Sequence, residues 1–392
     1  MNHILASSRL TGVARPVADT RGRGDVISRA AAVATQARRR ASALDDDDSF
    51  PADDVRALAE GGLLAAPLPH ESGGEALGLE PGTMRDLAQV LMSIGGGSLP
   101  LGRLYEGHVN ALRLVTAYGG PRQRSLLASR VRQGHMLAVW NTEVSDGLRL
   151  VGAGSGRHLQ GRKIFASGAG HIVHPLITAR DDDGRLLMVI PTVRDADRAD
   201  LSDWTPQGMR ASASGAVDFS GLPIGDDDII GDPDDFHRQP LFSAGAWRFA
   251  AVQTGGIGAV FDAAREHLRM TRRAEDPHQR ARMGQAALAV LSARQWVLEA
   301  ARLADDNDIH ADARVAHVNL ARSAVERAGL DVLELAQRSV GLAGFSRKHP
   351  LEKVSRDLAT YLRQPNPDKA LGDAATFVLS SDTPVLDIWP WL

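Results

Sequence analysis

The sequence predicts an α+β chain in three successive parts: an N-terminal helical region, a central antiparallel β region and a C-terminal helical bundle. Three observations predict it. Long segments near both ends carry apolar residues at three- and four-residue spacing. The middle instead holds short β-prone runs separated by Gly- and Asp-rich turns. Strands and helices do not alternate, so a parallel sheet of βαβ units is not expected. The boundaries fall at an arm over 1–22, helices over 23–134, β structure over 135–238 and helices over 239–392.

Each part follows from local composition. Ile27 through Leu44 is rich in Ala and Arg and reads as a solvated helix. The acid run Asp45–Asp48 stands ahead of Phe50-Pro51, as acids and Pro suit a helix start. Val55, Leu58, Leu63 and Leu64 form an apolar stripe, ended by Pro67, Pro69 and Gly73-Gly74. In the middle, Leu137–Trp140, Ile172-Val173, Leu176–Thr178 and Leu186–Ile190 are the β-prone runs. Phe249–Arg273, Arg282–Asp305 and Ala313–Gly341 are long helical segments joined by short loops, which pack most simply as an antiparallel bundle. Val315, Val318, Ala321, Val325, Ala328 and Val332 make one stripe in the last of these. The glycines Gly255, Gly256 and Gly258 read as a place of close helix packing.

Composition narrows the function classes. The 392 residues are 43% hydrophobic and 24% charged, as in ordinary globular proteins, and suffice for two or three domains. A net charge of −3, with both signs interspersed, points to neither nucleic acid nor a membrane surface as partner. The absence of cysteine excludes disulfides, thiolate metal sites and a cysteine nucleophile. No metal site is expected. Arg9, Arg15, Asp19, Arg21 and Arg23 break up any apolar signal core. A cytoplasmic location is expected.

The chemistry-bearing motifs lie in the central and last parts. Trp140-Asn141-Thr142-Glu143 ends a strand; Phe165-Ala166-Ser167 lies in another; Gly208-Met209-Arg210-Ala211-Ser212-Ala213-Ser214 precedes a third. Near the C-terminus come the turn Gly341-Leu342-Ala343-Gly344, then His349-Pro350-Leu351-Glu352-Lys353, then Arg356-Asp357. This last stretch resembles the C-terminal signature of acyl-CoA dehydrogenases, and all the segments occur in that family's order over roughly residues 24–372. The resemblance implies a helical domain, a β domain and a four-helix bundle, with FAD as cofactor. It implies that Trp140, Asn141 and Thr142 meet the flavin pyrimidine edge and that Ser145 reaches a phosphate. It implies that Phe165 stacks on the isoalloxazine and that Ser167 stands beside N5. Arg338, Gly341 and Leu342 would meet the FAD pyrophosphate of a neighbouring subunit, so a homodimer or homotetramer is expected, and Arg273 and Gln285 would also meet the FAD, Gln285 near its adenosine. The loop Val144–Gly147 is shorter than the family's Pro-Gly-Ala-Gly-Ser-Asp, and Leu342 replaces a glycine.

The family's dehydrogenases need a carboxylate to take the substrate α-proton. The usual place for it aligns with Pro365 and the other known place with Trp247-Arg248. Asp368 is the nearest substitute, with Glu266 and His349 further candidates. The resemblance implies oxidation of an acyl thioester, with an electron-acceptor flavoprotein or oxygen as partner. Two alternatives stand beside it: a flavin monooxygenase on the same scaffold, which needs no such base, and a non-catalytic flavin-binding assembly protein.

Overall fold

The computed structural model describes residues 20–45, 49–144, 147–363 and 365–389. The N-terminal part comprises α1 (Thr20–Arg40), α2 (Ala52–Glu60), α3 (Met84–Gly97), α4 (Leu99–Tyr118) and α5 (Pro121–Arg132). Ser98 starts α4 by accepting a hydrogen bond from the Leu101 N–H at 3.3 Å, with Pro100 in the first turn. Of the expected acid run, Asp45 is described and ion-paired, whereas Asp46–Asp48 lie outside the described residues.

The central strands are β1 (Leu137–Trp140), β2 (Arg149–Val151), β3 (His158–Gln160), β4 (Arg162–Ala166), β5 (His174–Arg180), β6 (Leu186–Val189), β7 (Ala199–Asp200), β8 (Gly215–Asp218) and β9 (Ile229–Ile230). One sheet runs β3-β2-β5-β6-β9 with β1 also on β5; the other runs β4-β8-β7. Most pairings are antiparallel, as expected. The exceptions are β1 and β2, which meet β5 in parallel, with Leu137 opposite His174 and Arg149 opposite Arg180. The chain leaves β1 and visits β2, β3 and β4 before it returns beside β1, and a long excursion permits a parallel return. Ile172-Val173, read as a strand, forms the turn ahead of β5.

The last part holds α6 (Leu241–Ala244), α7 (Trp247–Met270), α8 (Pro277–Ala304), α9 (Ala311–Val340), α10 (Pro350–Tyr361) and α11 (Pro367–Leu379). Helices α7, α8 and α9 pack on one another, α10 lies against α7 and α9, and α11 covers α9. Val318, Ala321, Val325, Ala328 and Val332 are buried, as their spacing predicts. The close packing expected of the glycines is between α7 and α3: a Cβ on Gly255 would stand 2.0 Å from the Met92 carbonyl oxygen. Among the described residues, no helix is long and apolar enough to cross a membrane.

Candidate active site

The site is built where α4, β1, β4, the 208–214 loop and α10 converge. The loop is fixed first. Asp357 is buried on α10 and accepts from the Met209 N–H at 2.6 Å, while Lys353 holds its other oxygen at 2.7 Å. Arg356 donates to the Gln207 carbonyl and pairs with Glu352 and, at 2.7 Å, with Asp45. The Glu352 hydrogen bond, joined by Asp45 and opposed by burial, raises the Arg356 guanidinium above its ordinary value. A Cβ on Gly208 would lie 2.2 Å from the Arg356 carbonyl oxygen, so only glycine lets the loop this close. The Arg-Asp pair of the signature is thus a clip joining three parts of the chain. Beside it, Gln207, Arg210, Gln337, Phe345, Ser355 and Arg356 line a cavity of about 380 Å³.

The loop then presents hydroxyls. Ser212 donates to the Met209 carbonyl at 2.8 Å, Ser212 and Ser214 lie 2.8 Å apart, and Ser214 meets Ser167 at 3.0 Å. Ser212 spends its proton on Met209 and Ser214 donates to Ser167, which leaves the Ser167 hydroxyl proton free to donate to a ligand. Trp140 is buried, and its indole N–H bonds the Ser167 carbonyl at 2.9 Å, so it braces the site from within.

Strand β4 bulges between Lys163 and Ala166. At the bulge Phe165 takes a left-handed φ of 53°, and its side chain is 61% exposed between less exposed neighbours. A Phe in this conformation is unusual. It turns an aromatic face outward beside exposed Thr142, at the end of β1. The strand end is held by Lys163, which is fully buried and bonds Glu143 at 2.5 Å, Thr178 at 3.0 Å and the Asn141 carbonyl at 3.2 Å. Thr178 in turn donates to the Asn141 side-chain oxygen at 2.6 Å. Burial pulls the Lys163 ammonium below its ordinary value, against the pull of Glu143. An outward aromatic face, a rigid strand end and a buried hydroxyl relay suit a planar redox ring with polar edges.

The remaining expected contacts lie elsewhere. Arg273 approaches the Ser339 carbonyl at 3.4 Å, Gln285 is exposed on α8, and Arg338 pairs with Glu334 on the same helix. Gly341, with φ 75°, ends α9, and Leu342 is 88% exposed. Among the described residues, no hydrogen bond or ion pair joins this group to Phe165, Ser167 or Thr142. Ser145 lies outside the described residues.

None of the expected bases is brought to the site. Asp368 is exposed in the first turn of α11, Glu266 is exposed on α7, and Pro365 accepts a bond from Arg322. His349 caps α10 by accepting from the Leu351 N–H at 3.1 Å and meets His267 at 3.0 Å.

The sequence reading missed a polar stripe on α4. Arg103, Glu106 and Asn110 recur at helical spacing on an otherwise apolar helix, a signal the sequence does carry. Arg103 holds one Glu106 oxygen at 2.6 Å, and the Asn110 amide donates to the other. The Asn110 oxygen accepts from Arg248 at 2.5 Å. Gly107, on the same helix, packs against Ala138 and Val139 of β1, and Leu104 packs against Gly168. Burial opposes the charge on Arg103, yet Glu106, with a smaller contribution from Tyr361, raises it above its ordinary value. Burial pulls Arg248 down to about 10.

Comparison with known proteins agrees with this architecture. Residues 28–135 match the family model of the acyl-CoA dehydrogenase N-terminal domain, and residues 239–362 match that of the C-terminal domain. A dibenzothiophene monooxygenase of Rhodococcus erythropolis is 24% identical over 366 residues, covering 84% of this chain and 87% of the relative. An L-evernosamine nitrososynthase of a Micromonospora species is 26% identical over 364 residues, covering 85% and 84%. The crystal structure of TdsC, a dibenzothiophene monooxygenase from Paenibacillus sp. A11-2, in complex with FMN and indole superposes with a TM-score of 0.81 at 20% identity, covering 92% of this chain and 98% of that one.

Proposed function

The chain belongs to the acyl-CoA dehydrogenase family and is a flavoprotein oxidoreductase; on that footing we propose that it is a flavin-dependent monooxygenase of a small molecule. This takes the place of the thioester dehydrogenation that the resemblance implied, and an enzyme takes the place of a non-catalytic assembly protein. The observation that carries the reading is the lack of an acid at both places where relatives put the base: buried Trp247, ahead of Arg248, stands at one and Pro365 at the other. Glu106, the buried acid of α4, has both oxygens engaged and is no free proton acceptor. Named relatives that are monooxygenases and nitrososynthases support the same reading.

A bound reduced flavin supplies the electrons that activate dioxygen, a reaction that requires no base at a thioester α-carbon. The chain's own residues hold and shield it. Phe165 offers the stacking face, the Trp140–Thr142 strand end offers polar contacts to one edge, and Ser167 offers a hydroxyl whose direction the Ser212–Ser214 relay sets. We assign FMN rather than the FAD first expected. The short loop after Glu143 and Leu342 in place of a glycine both weaken pyrophosphate binding, and the TdsC complex holds FMN. A second copy of the chain is proposed to complete the site.

The test is anaerobic mixing of the flavin-loaded protein with a panel of acyl-CoAs, then supply of FMN reduced by an external reductase in the presence of ¹⁸O₂. No acyl-CoA is expected to bleach the flavin, and one labelled oxygen atom is expected in a small-molecule product. Bleaching by an acyl-CoA without added reductant would restore the dehydrogenase. Phe165→Ala is expected to weaken FMN binding about tenfold, the scale of one lost aromatic stack, read by quenching of flavin fluorescence; equal affinity would remove Phe165 from the site.

A further inference from the structure

We propose, resting on the monooxygenase reading and extending it, that Arg248 and the α4 stripe form a subsite for one anionic group of the substrate, a carboxylate, sulfinate or phosphate. The charges of this cluster do not balance. Arg103 pairs with Glu106 at 2.6 Å and Arg113 with Asp305 at 2.8 Å. Arg248 is left as a third guanidinium, with an amide oxygen as its sole hydrogen-bond partner among the described residues. It is 6% exposed. A buried cation is ordinarily paired, because removal from water is costly. The Trp247 ring lies against the guanidinium at 5.4 Å, and Asp305 and Glu106 attract it from their own pairs with Arg113 and Arg103; an anion from outside the chain would complete the pairing.

The surroundings are preset for it. Arg103 fixes Glu106, Glu106 takes the Asn110 amide N–H, and the Asn110 oxygen must then face the Arg248 Nε. This aims the guanidinium, with Nη2 packed over Gly245, and leaves its terminal nitrogens without a hydrogen-bond partner among the described residues, as donors for an oxyanion. Nearby polar groups are also unsatisfied: among the described residues the Trp247 indole N–H, the Tyr361 hydroxyl close to Arg103 and Glu106, the Arg113 Nε and one Asp305 oxygen are buried without hydrogen-bond partners. Buried orphans of this kind call for an explanation, and a bound polar group is one. Arg103 and Asn110 are only half-buried, so the stripe is not sealed.

A purely structural tie between α4 and α7 would use the same hydrogen bonds but would bind nothing. Calorimetric titration of the flavin-loaded, oxidised protein separates the two. The probes are benzoate, benzenesulfinate and phenyl phosphate, with benzamide as neutral control, at fixed ionic strength. At least one anion is expected to bind and benzamide is not. Asn110→Asp, which sets a carboxylate beside Arg248 without removing a side chain, is expected to weaken that anion at least about tenfold, and Arg248→Gln to do the same. Melting curves establish that the variants fold. No binding of any of the three anions, equal binding of benzamide, or undiminished binding by Asn110→Asp overturns the subsite. Anion binding lost in Asn110→Asp upholds it even should reduced flavin and dioxygen prove unreactive, a result that would remove the monooxygenase reading alone.

Discussion

His317 sits between Trp296 and Trp389, with neither ring nitrogen hydrogen-bonded among the described residues. Burial pulls it down to about 4. An unfolded histidine titrates near 6.5, so between these values the unfolded chain binds a proton that the native chain refuses. The stability His317 permits is therefore complete above about pH 6.5 and is lost as pH falls toward about 4, a total near 3 kcal/mol. His108 behaves in the same sense and is also pulled to about 4. It differs in being satisfied: the Leu137 N–H donates to its Nδ1, so Nε2 carries the proton to the Leu64 carbonyl. His317→Leu is expected to raise the urea midpoint, and by more at about pH 5 than at about pH 7.5. Parallel pH profiles for the two proteins would show that His317 does not carry this loss.

At the scale of elements, the contact of α3 with α7 depends on backbone approach rather than on side chains. Gly255→Ala would drive a methyl into the Met92 carbonyl and is expected to cost about 3 kcal/mol. Gly258, three residues on, has open space within 4 Å of where a Cβ would stand, so Gly258→Ala is expected to gain up to about 1 kcal/mol from helix propensity. Urea unfolding of both variants checks the contrast, and equal effects would refute the close contact. Such helices were legible because their apolar spacing is local, as was the turn chemistry at Gly341 and Pro350. The parallel return of β5 beside β1 was not, since no local pattern encodes which distant strand will be the neighbour. The α4 stripe was missed for a related reason. Arg103, Glu106 and Asn110 read singly as solvated residues, and the Arg248 that gives them meaning lies 138 residues beyond Asn110. Phe165 was singled out by its resemblance, but its left-handed backbone emerges only from the bulge against β8.

Across the whole molecule, the expected flavin contacts divide into two groups that one protomer does not join. Phe165, Ser167 and Thr142 lie at the junction of the β region with α4 and α10. Arg273, Arg338, Gly341 and Leu342 lie toward the opposite ends of the bundle helices from Trp247, where α7 ends, α8 begins and α9 ends. Leu342 and Phe345 are exposed there at 88% and 58%, and Met270, at the end of α7, at 66%, apolar side chains that water does not favour. If a second copy brings this end to the flavin of the first, cofactor retention and association are one equilibrium, linked by mass action. Dilution is then expected to release FMN in step with loss of the larger species, and added FMN to shift the association midpoint to lower protein concentration. Sedimentation velocity recorded at the flavin and protein wavelengths over a dilution series reads both. Leu342→Asp is expected to weaken association and FMN retention together while leaving the melting temperature of the dilute protomer unchanged, because an exposed side chain adds little to its own fold. Full FMN occupancy on a sedimenting monomer would show that one chain suffices for the site.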